Sequence, residues 1–190
     1  TTHKGKWEKK NIKGTELSKK TLGIVGFGNV GARLSNLVKG FDMNILVNSK
    51  SLESRQKDFP HVKNVSFDEL ISASDIISFH CKSAPDGKPI INKEHYKKMK
   101  PSTFIINTAR GNIVDEKDLN AALNENLIAG AALDVYSKEP AKENILFNNP
   151  KVILTPHVAA STAEASIVVA EMAANQISNF LLKGNKINAV

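Results

Sequence analysis

The sequence predicts an α/β fold built on a doubly wound parallel sheet. Three observations carry this. Short apolar runs alternate with amphipathic helical stretches along nearly the whole chain. The runs are apolar throughout, as expected of strands covered on both faces. The first of them empties into Gly26-Phe27-Gly28-Asn29-Val30-Gly31, a Gly-x-Gly-x-x-Gly turn between a strand and a helix.

The elements follow in order. Residues 22–25 form the first strand. The helix after the glycine turn presents Val30, Leu34, Leu37, Val38 and Phe41 on one apolar face. Residues 44–47 form a second strand with Ile45, Leu46 and Val47 as its core, and a polar loop with Pro60 follows. Ser66-Phe67-Asp68-Glu69 reads as a capping box opening a short helix. Residues 75–79 form a strand, 92–99 a helix stopped by Pro101, 104–106 a strand and 116–124 a helix. Strands over 131–135 and 152–154 complete the sheet. Ser161-Thr162-Ala163-Glu164 reads as a second capping box, opening a long helix with Ile167, Ala170, Ala174, Ile177 and Leu181 on one face. No internal repeat or low-complexity segment interrupts the series.

Composition bounds the function classes. At 190 residues, 41% apolar and 24% charged, the chain holds one ordinary globular domain with a full core. No run approaches the roughly 18 apolar residues of a membrane span, and no secretory signal opens the chain. The lone cysteine, Cys81, leaves no intrachain disulfide, which fits a reducing cytoplasm. No metal-ligating cluster is expected. The net charge of +7 is uneven: seven lysines against Glu8 and Glu16 place +5 of it in residues 1–20. Without aromatic interleaving or a recognition-helix pattern, that leader reads as a solvated connector rather than a nucleic-acid arm. A positive field also suits anionic substrates and cofactors.

The glycine turn points to a dinucleotide in a Rossmann-type domain. Gly26 permits the tight turn, Gly28 lets the backbone approach a pyrophosphate, and Gly31 lets the helix pack closely on the sheet. The anion then sits at the helix N-terminus. In such sheets ligands bind beyond the carboxyl ends of the strands. Arg110, Asp134, Glu139 and His157 all fall at or beyond such ends. A dinucleotide implies hydride transfer, which needs a proton donor for the carbonyl oxygen and a cation for an acid group. His157 is the candidate donor. Glu139 is placed to hold its second ring nitrogen and favour the imidazolium, and Arg110 to bind a carboxylate. Taken singly, each has a structural reading: a loop histidine, a Glu-Pro loop start, an arginine satisfying carbonyls. Their joint placement favours chemistry.

Gly5-Lys6-Trp7, the 21–31 segment, Asn107-Thr108-Ala109-Arg110-Gly111, the 130–135 segment, Glu139-Pro140 and Thr155-Pro156-His157 together resemble the cofactor domain of the D-isomer-specific 2-hydroxyacid dehydrogenases, closest to the D-3-phosphoglycerate dehydrogenase branch. The resemblance implies that Arg110 orients a 2-oxo acid, that His157 is the acid/base paired with Glu139, and that Asp134 sits by the nicotinamide carboxamide. It implies cofactor contacts from Gly26, Phe27, Gly28, Asn29, Val30 and Gly31. Further contacts are expected from Asn48, Ser49, Lys50, His80, Thr108, Ala109 and His157. It implies a homodimer acting on a small 2-hydroxy or 2-oxo acid. 3-Phosphoglycerate is the first candidate, with hydroxypyruvate or glyoxylate next. Residues 1–20 are then an inter-domain connector, 21–183 the NAD(P)-binding domain, and 184–190 the start of a return to a substrate domain. The abrupt Thr1-Thr2-His3-Lys4 start fits an excised domain. The family also includes transcriptional corepressors, so a dinucleotide-sensing binding protein is the alternative.

Departures from the family pattern carry their own expectations. NAD-preferring relatives place an acidic residue after the second strand, but here Asn48-Ser49-Lys50 follow Val47, with Arg55 close behind. Those residues would accept the 2′-phosphate of NADP, which a carboxylate repels. The other expectation is that Asn48 binds the ribose of NAD. His80 is followed by Cys81-Lys82 rather than a proline two residues on. Ala159-Ala160 stand where relatives often carry glycine.

Overall fold

The computed structural model describes residues 2–7, 9–11 and 13–187. Parts of the expected connector (1, 8 and 12) and of the expected return segment (188–190) lie outside the described residues. Seven strands form one sheet: β1 (Thr21–Val25), β2 (Asn44–Asn48), β3 (Val62–Asn64), β4 (Ile76–Phe79), β5 (Phe104–Asn107), β6 (Gly130–Leu133) and β7 (Val152–Leu154). Their order is β3-β2-β1-β4-β5-β6-β7, and every pairing is parallel. The helices are α1 (Asn29–Leu37), α2 (Lys50–Glu53), α3 (Phe67–Ala73), α4 (Lys93–Tyr96), α5 (Glu116–Asn124) and α6 (Ala163–Lys183).

The chain runs outward from β1 through β2 to β3, then returns to place β4 on the other side of β1. That reversal opens a crevice at the carboxyl ends of β1 and β4, where the glycine turn stands. Side chains alternate across the sheet. Leu22, Ile24, Ile45 and Val47 join Phe27, Leu52 and Phe59 on one face. Val25, Ile77, Phe79 and Ile105 join Leu70, Ile71, Leu119 and Leu123 on the other. Each buried Leu, Ile or Phe contributes about 1.5–3 kcal/mol of burial free energy, so both layers grip the sheet and hold the strand ends rigid.

Several local expectations change. β3 and α2 occupy the stretch read as a polar loop. β3 has one buried apolar residue, Val62, and an exposed Lys63, too little pattern for three residues at a sheet edge. The 92–99 helix is α-helical only over Lys93–Tyr96; Lys98 N–H donates to His95 and Met99 N–H to Tyr96, three residues back, so the coil tightens to 3₁₀ type. β6 begins one residue earlier and ends before Asp134 and Val135. Ser66 caps α3 through Glu69 N–H, but the Glu69 carboxylate pairs with Lys63 at 3.0 Å. Thr162, not Ser161, caps α6. The apolar face read for α1 covers the sheet only in part. Leu34 and Val38 pack against the core beside Gly31, Ala32 and Ser35, while Val30, Leu37 and Phe41 are exposed. Close approach at Gly31 brings the helix backbone onto β1 and turns the flank with Val30 and Leu37 outward. α6 has no buried residue at all.

Candidate active site

The glycine turn is shaped by two steric constraints. Gly26 has φ +91°, and a Cβ there would lie 2.6 Å from His80 O and 2.8 Å from Cys81 N, so the end of β4 presses directly on the turn. A Cβ on Gly31 would overlap the Gly26 carbonyl oxygen. Gly28 differs: nothing lies within 4 Å of its Cβ position. Gly28 is also the N-cap of the nine-residue α1 and provides no side-chain cap, leaving first-turn N–H groups facing that open space. A bare backbone, an open cradle and a helix N-terminus fit a dinucleotide pyrophosphate.

At the end of β2, Asn48 turns inward, donating Nδ2–H to Val65 O at 2.9 Å. Ser49 Oγ lies 2.9 Å from Ser51 Oγ, and Ser51 donates to Phe27 O at 3.1 Å. Arg55 Nη1 reaches the same carbonyl at 3.4 Å, its guanidinium 5.1 Å from the Phe59 ring centre. Two hydroxyls and a guanidinium thus converge on the glycine turn, and Lys50 is exposed beside them. His80 at the end of β4 sits 2.9 Å from Ser78 Oγ; burial pushes its pKa down. Burial also pushes the adjacent Cys81 thiol up.

Beyond β5, buried Asn107 shapes the loop that carries Arg110. Its Nδ2–H donates to Arg110 O at 2.9 Å and its Oδ1 accepts from Ala109 N at 3.1 Å. Arg110 extends into solvent, with Nη1 donating to Ala109 O at 2.6 Å. Thr108 is exposed and Ala109 half-buried on the same loop. A Cβ on Gly111 would overlap the Tyr136 carbonyl, so the β5 and β6 loops are in direct contact.

His157 Nδ1 lies 2.7 Å from Glu139 Oε2. The bond from His157 first, then the Tyr136 N–H, holds the Glu139 carboxyl below the usual range. An ionised carboxylate only accepts, so Nδ1 carries the hydrogen and Nε2 is the ring atom left to exchange a proton. His157 has φ +55°, a left-handed conformation that costs a non-glycine residue about 1–2 kcal/mol. Asp134 holds it there. Its Oδ1 accepts from Thr155 Oγ1 at 2.5 Å and Val158 N at 2.9 Å, and its Oδ2 from Ala159 N at 2.8 Å. Burial raises the Asp134 pKa, but these three donors and the nearby His157 outweigh it and hold the carboxyl low. Asp134 is 3% exposed, and its carboxylate faces the His157 loop.

A cavity of about 330 Å³ is lined by Arg110, Asn112, Tyr136, Ser137, Glu139 and His157. The guanidinium and the imidazole–carboxylate couple therefore share one space. They stand at the same carboxyl-end edge of the sheet as the glycine turn.

Residues 1–159 match the profile of the D-isomer specific 2-hydroxyacid dehydrogenase NAD binding domain. The chain belongs to that family. As a member of the D-2-hydroxyacid dehydrogenases, it is 42% identical over 177 residues to a D-3-phosphoglycerate dehydrogenase of Synechocystis sp., covering 93% of this chain and 32% of that one. A glyoxylate reductase from Paecilomyes thermophila superposes with a TM-score of 0.87 at 35% identity, over 98% of this chain and 56% of that one. An acyclic imino acid reductase in complex with NADPH and D-Arg superposes with a TM-score of 0.83 at 30% identity, over 95% and 57%. The chain thus spans about a third to just over half the length of these relatives.

The roles of three side chains were not legible in the sequence: Ser51, Asn107 and Glu116. Ser51 lies two residues beyond the expected ribose position. Asn107 reads as the polar end of an apolar strand, and Glu116 as an ordinary acidic first-turn residue. Only the folded loops show what they touch.

Proposed function

We propose that the protein interconverts D-2-hydroxy acids and 2-oxo acids with a nicotinamide dinucleotide. The observation that carries this is the convergence of Arg110 and the Glu139–His157 couple on one cavity, at the carboxyl-end edge of the sheet that also carries the glycine turn. Gly26 to Gly31 cradle the pyrophosphate, and His80, Thr108 and Ala109 line its path toward that cavity. Bound reduced cofactor supplies the hydride. Arg110 grips the substrate carboxylate with paired N–H groups and polarises the adjacent carbonyl. His157 gives a proton to the carbonyl oxygen from Nε2, and takes it back in the oxidative direction. Glu139 fixes the tautomer and balances the ring's charge. This machinery exceeds what a dinucleotide sensor needs.

The substrate is a small 2-oxo acid, with phosphohydroxypyruvate first, then hydroxypyruvate and glyoxylate. Relatives named D-3-phosphoglycerate dehydrogenase and glyoxylate reductase support this range. For the cofactor, NADP(H) is favoured within the family's NAD-binding frame. No carboxylate stands among Asn48, Ser49 and Lys50, while Ser49, Ser51 and Arg55 offer hydroxyl and guanidinium donors at the turn. The similar imino acid reductase holds NADPH. The free Cys81 thiol suits a reducing cytoplasm. Among the described residues no helix is long and apolar enough to cross a membrane. A homodimer is supported by the exposed Ile167, Met172, Ile177 and Leu181 of α6 and the exposed Val30 and Leu37 of α1. Residues 21–183 are read as the cofactor domain, flanked by the connector and return segment.

The test is a rate panel on the complete gene product, crossing NADH and NADPH with phosphohydroxypyruvate, hydroxypyruvate, glyoxylate and pyruvate. His157→Ala abolishes most turnover while cofactor affinity stays near wild type. Unchanged rates in that variant remove His157 from the chemistry. Dinucleotide binding without reduction of any 2-oxo acid turns the reading toward a sensor. A much tighter NADH constant ends the NADP preference.

A further inference from the structure

We infer that Glu116, at the start of α5 and outside the cavity, is a positioning residue that sets where Glu139 stands against His157. Glu139 lies on the long β6–β7 connection. Glu139 sits on an exposed stretch, and a free glutamate on such a loop would sample many rotamers and backbone positions. Yet its two oxygens are both engaged, one by Tyr136 N–H at 2.9 Å and the other by His157 at 2.7 Å. Something must hold the loop itself.

The Glu116 carboxylate does so from below. Its Oε1 accepts from Ser137 N at 2.8 Å; its Oε2 accepts from Ser137 Oγ at 3.0 Å and Asn144 Nδ2 at 2.9 Å. Ser137 and Asn144 bracket Glu139 in sequence, so one side chain ties both flanks of its loop to a single point. That point is rigid. α5 is capped by Asp115, which accepts from Lys117 and Asp118 N–H, and its Leu119, Ala122 and Leu123 are buried in the core. Asn144 is locked in the donating orientation because its Oδ1 accepts from Leu146 N at 2.9 Å. Gly111, beside Arg110, touches the Tyr136 carbonyl and lies under Ser137. The clamp therefore sets Glu139 in register with Arg110 as well as with His157.

The charged or titratable groups around Glu139 are His157 and Asp134 from the β7 and β6 ends, Arg110 from the β5 end, and Tyr136 on its own loop. Glu116 is a carboxylate near Tyr136 too. Simple removal of its negative charge would lower the Glu139 pKa slightly. Loss of the clamp does the opposite, because Glu139 leaves the His157 N–H that holds its pKa down. The two explanations differ in sign.

The experiment uses Glu116→Ala, with Glu116→Gln as the variant to carry if the alanine does not fold. Glutamine keeps an acceptor for Ser137 but sets its own NH₂ against that of Asn144. Carbon-13 titration of the Glu139 carboxyl, on the protein without substrate, reads the geometry directly. The proposal expects the midpoint to move up toward the ordinary glutamate range, with dinucleotide affinity changed less than about twofold. On the complete gene product it expects kcat to fall about 10- to 100-fold, the scale of an ångström-sized misplacement, with a displaced pH–rate profile. In the Glu139→Gln background, Glu116→Ala should change kcat no further. An unmoved or lowered Glu139 midpoint overturns the proposal, as does a full multiplicative loss in the double variant. This inference rests on the catalytic reading above, but the titration does not. If wild type turns over no 2-oxo acid, that reading fails while the Glu139 midpoint still decides the clamp.

Discussion

Asp134→Asn is the sharpest perturbation of the site, because it keeps shape and removes one acceptor. In the native loop the carboxylate takes three hydrogen bonds, from Thr155, Val158 and Ala159, and holds His157 at φ +55°. Asparagine retains one oxygen, enough for Thr155 and Val158. Its amide NH₂ then faces Ala159 N–H, donor against donor. One charge-assisted bond worth about 1.5–3 kcal/mol is lost and a half-sequestered donor is left unmade. The left-handed His157, about 1–2 kcal/mol above an ordinary conformation, then relaxes more easily. The net loss is about 2–3 kcal/mol. If carried by the whole fold, it lowers Tm by roughly 4–12 °C for a chain of this size. If confined to the loop, the productive His157 population and hence kcat fall by up to about 30- to 150-fold, at 1.36 kcal/mol per decade. Thermal melts, dinucleotide titration and turnover on the complete gene product separate these cases. A variant that melts within a degree of wild type and keeps kcat within threefold shows that the carboxylate does not hold the loop.

Further outcomes follow from the same geometry. Gly28→Ala should leave the fold within about 1 kcal/mol, as expected at an N-cap in extended conformation, yet weaken dinucleotide binding tenfold or more. Gly31→Ala should also destabilise the fold, by about 1–3 kcal/mol, because its methyl overlaps the Gly26 carbonyl; equal binding by Gly28→Ala and wild type counts against the cradle. Stability should fall steadily from pH 7 into acid. Burial lowers the folded pKa of His61, His80 and His95, so their contribution fades below about 6.5. Against the opposing effect of burial, hydrogen bonds lower those of Asp75 and Asp134, whose contribution is whole above about 3.9 and lost below it. Urea melts at pH 7, 5.5 and 4 check the sign, and higher stability at 5.5 than at 7 would contradict it. Ile177→Glu with Leu181→Glu on α6 should give a monomer by light scattering; an unchanged mass in both proteins removes that face from self-association.

Much of this protein was legible before folding. Six of the seven strands were readable because each is a short apolar run bounded by turn residues, and the glycine turn because sterics leave few alternatives at Gly26 and Gly31. β3 was not, since one buried valine gives no period. The seating of α1 is only half legible, because periodicity finds an apolar stripe but not how it is turned. Gly31 draws the helix so close that Ala32 and Ser35 meet the sheet with Leu34 and Val38, and Val30 and Leu37 are left outside.

The layered α/β class, the dinucleotide turn and the grouping of Arg110, Asp134, Glu139 and His157 at strand ends are written in the order of residues along the chain. These follow from local rules: hydrophobic period, glycine geometry and chain direction. How those groups are held depends on contacts made only in the folded chain. Asp134 turns to the His157 loop and Glu116 to the Glu139 loop. Such bonds join loops over separations of up to 28 residues, and hydrogen-bond direction depends on where backbone donors arrive in space, which no local pattern encodes.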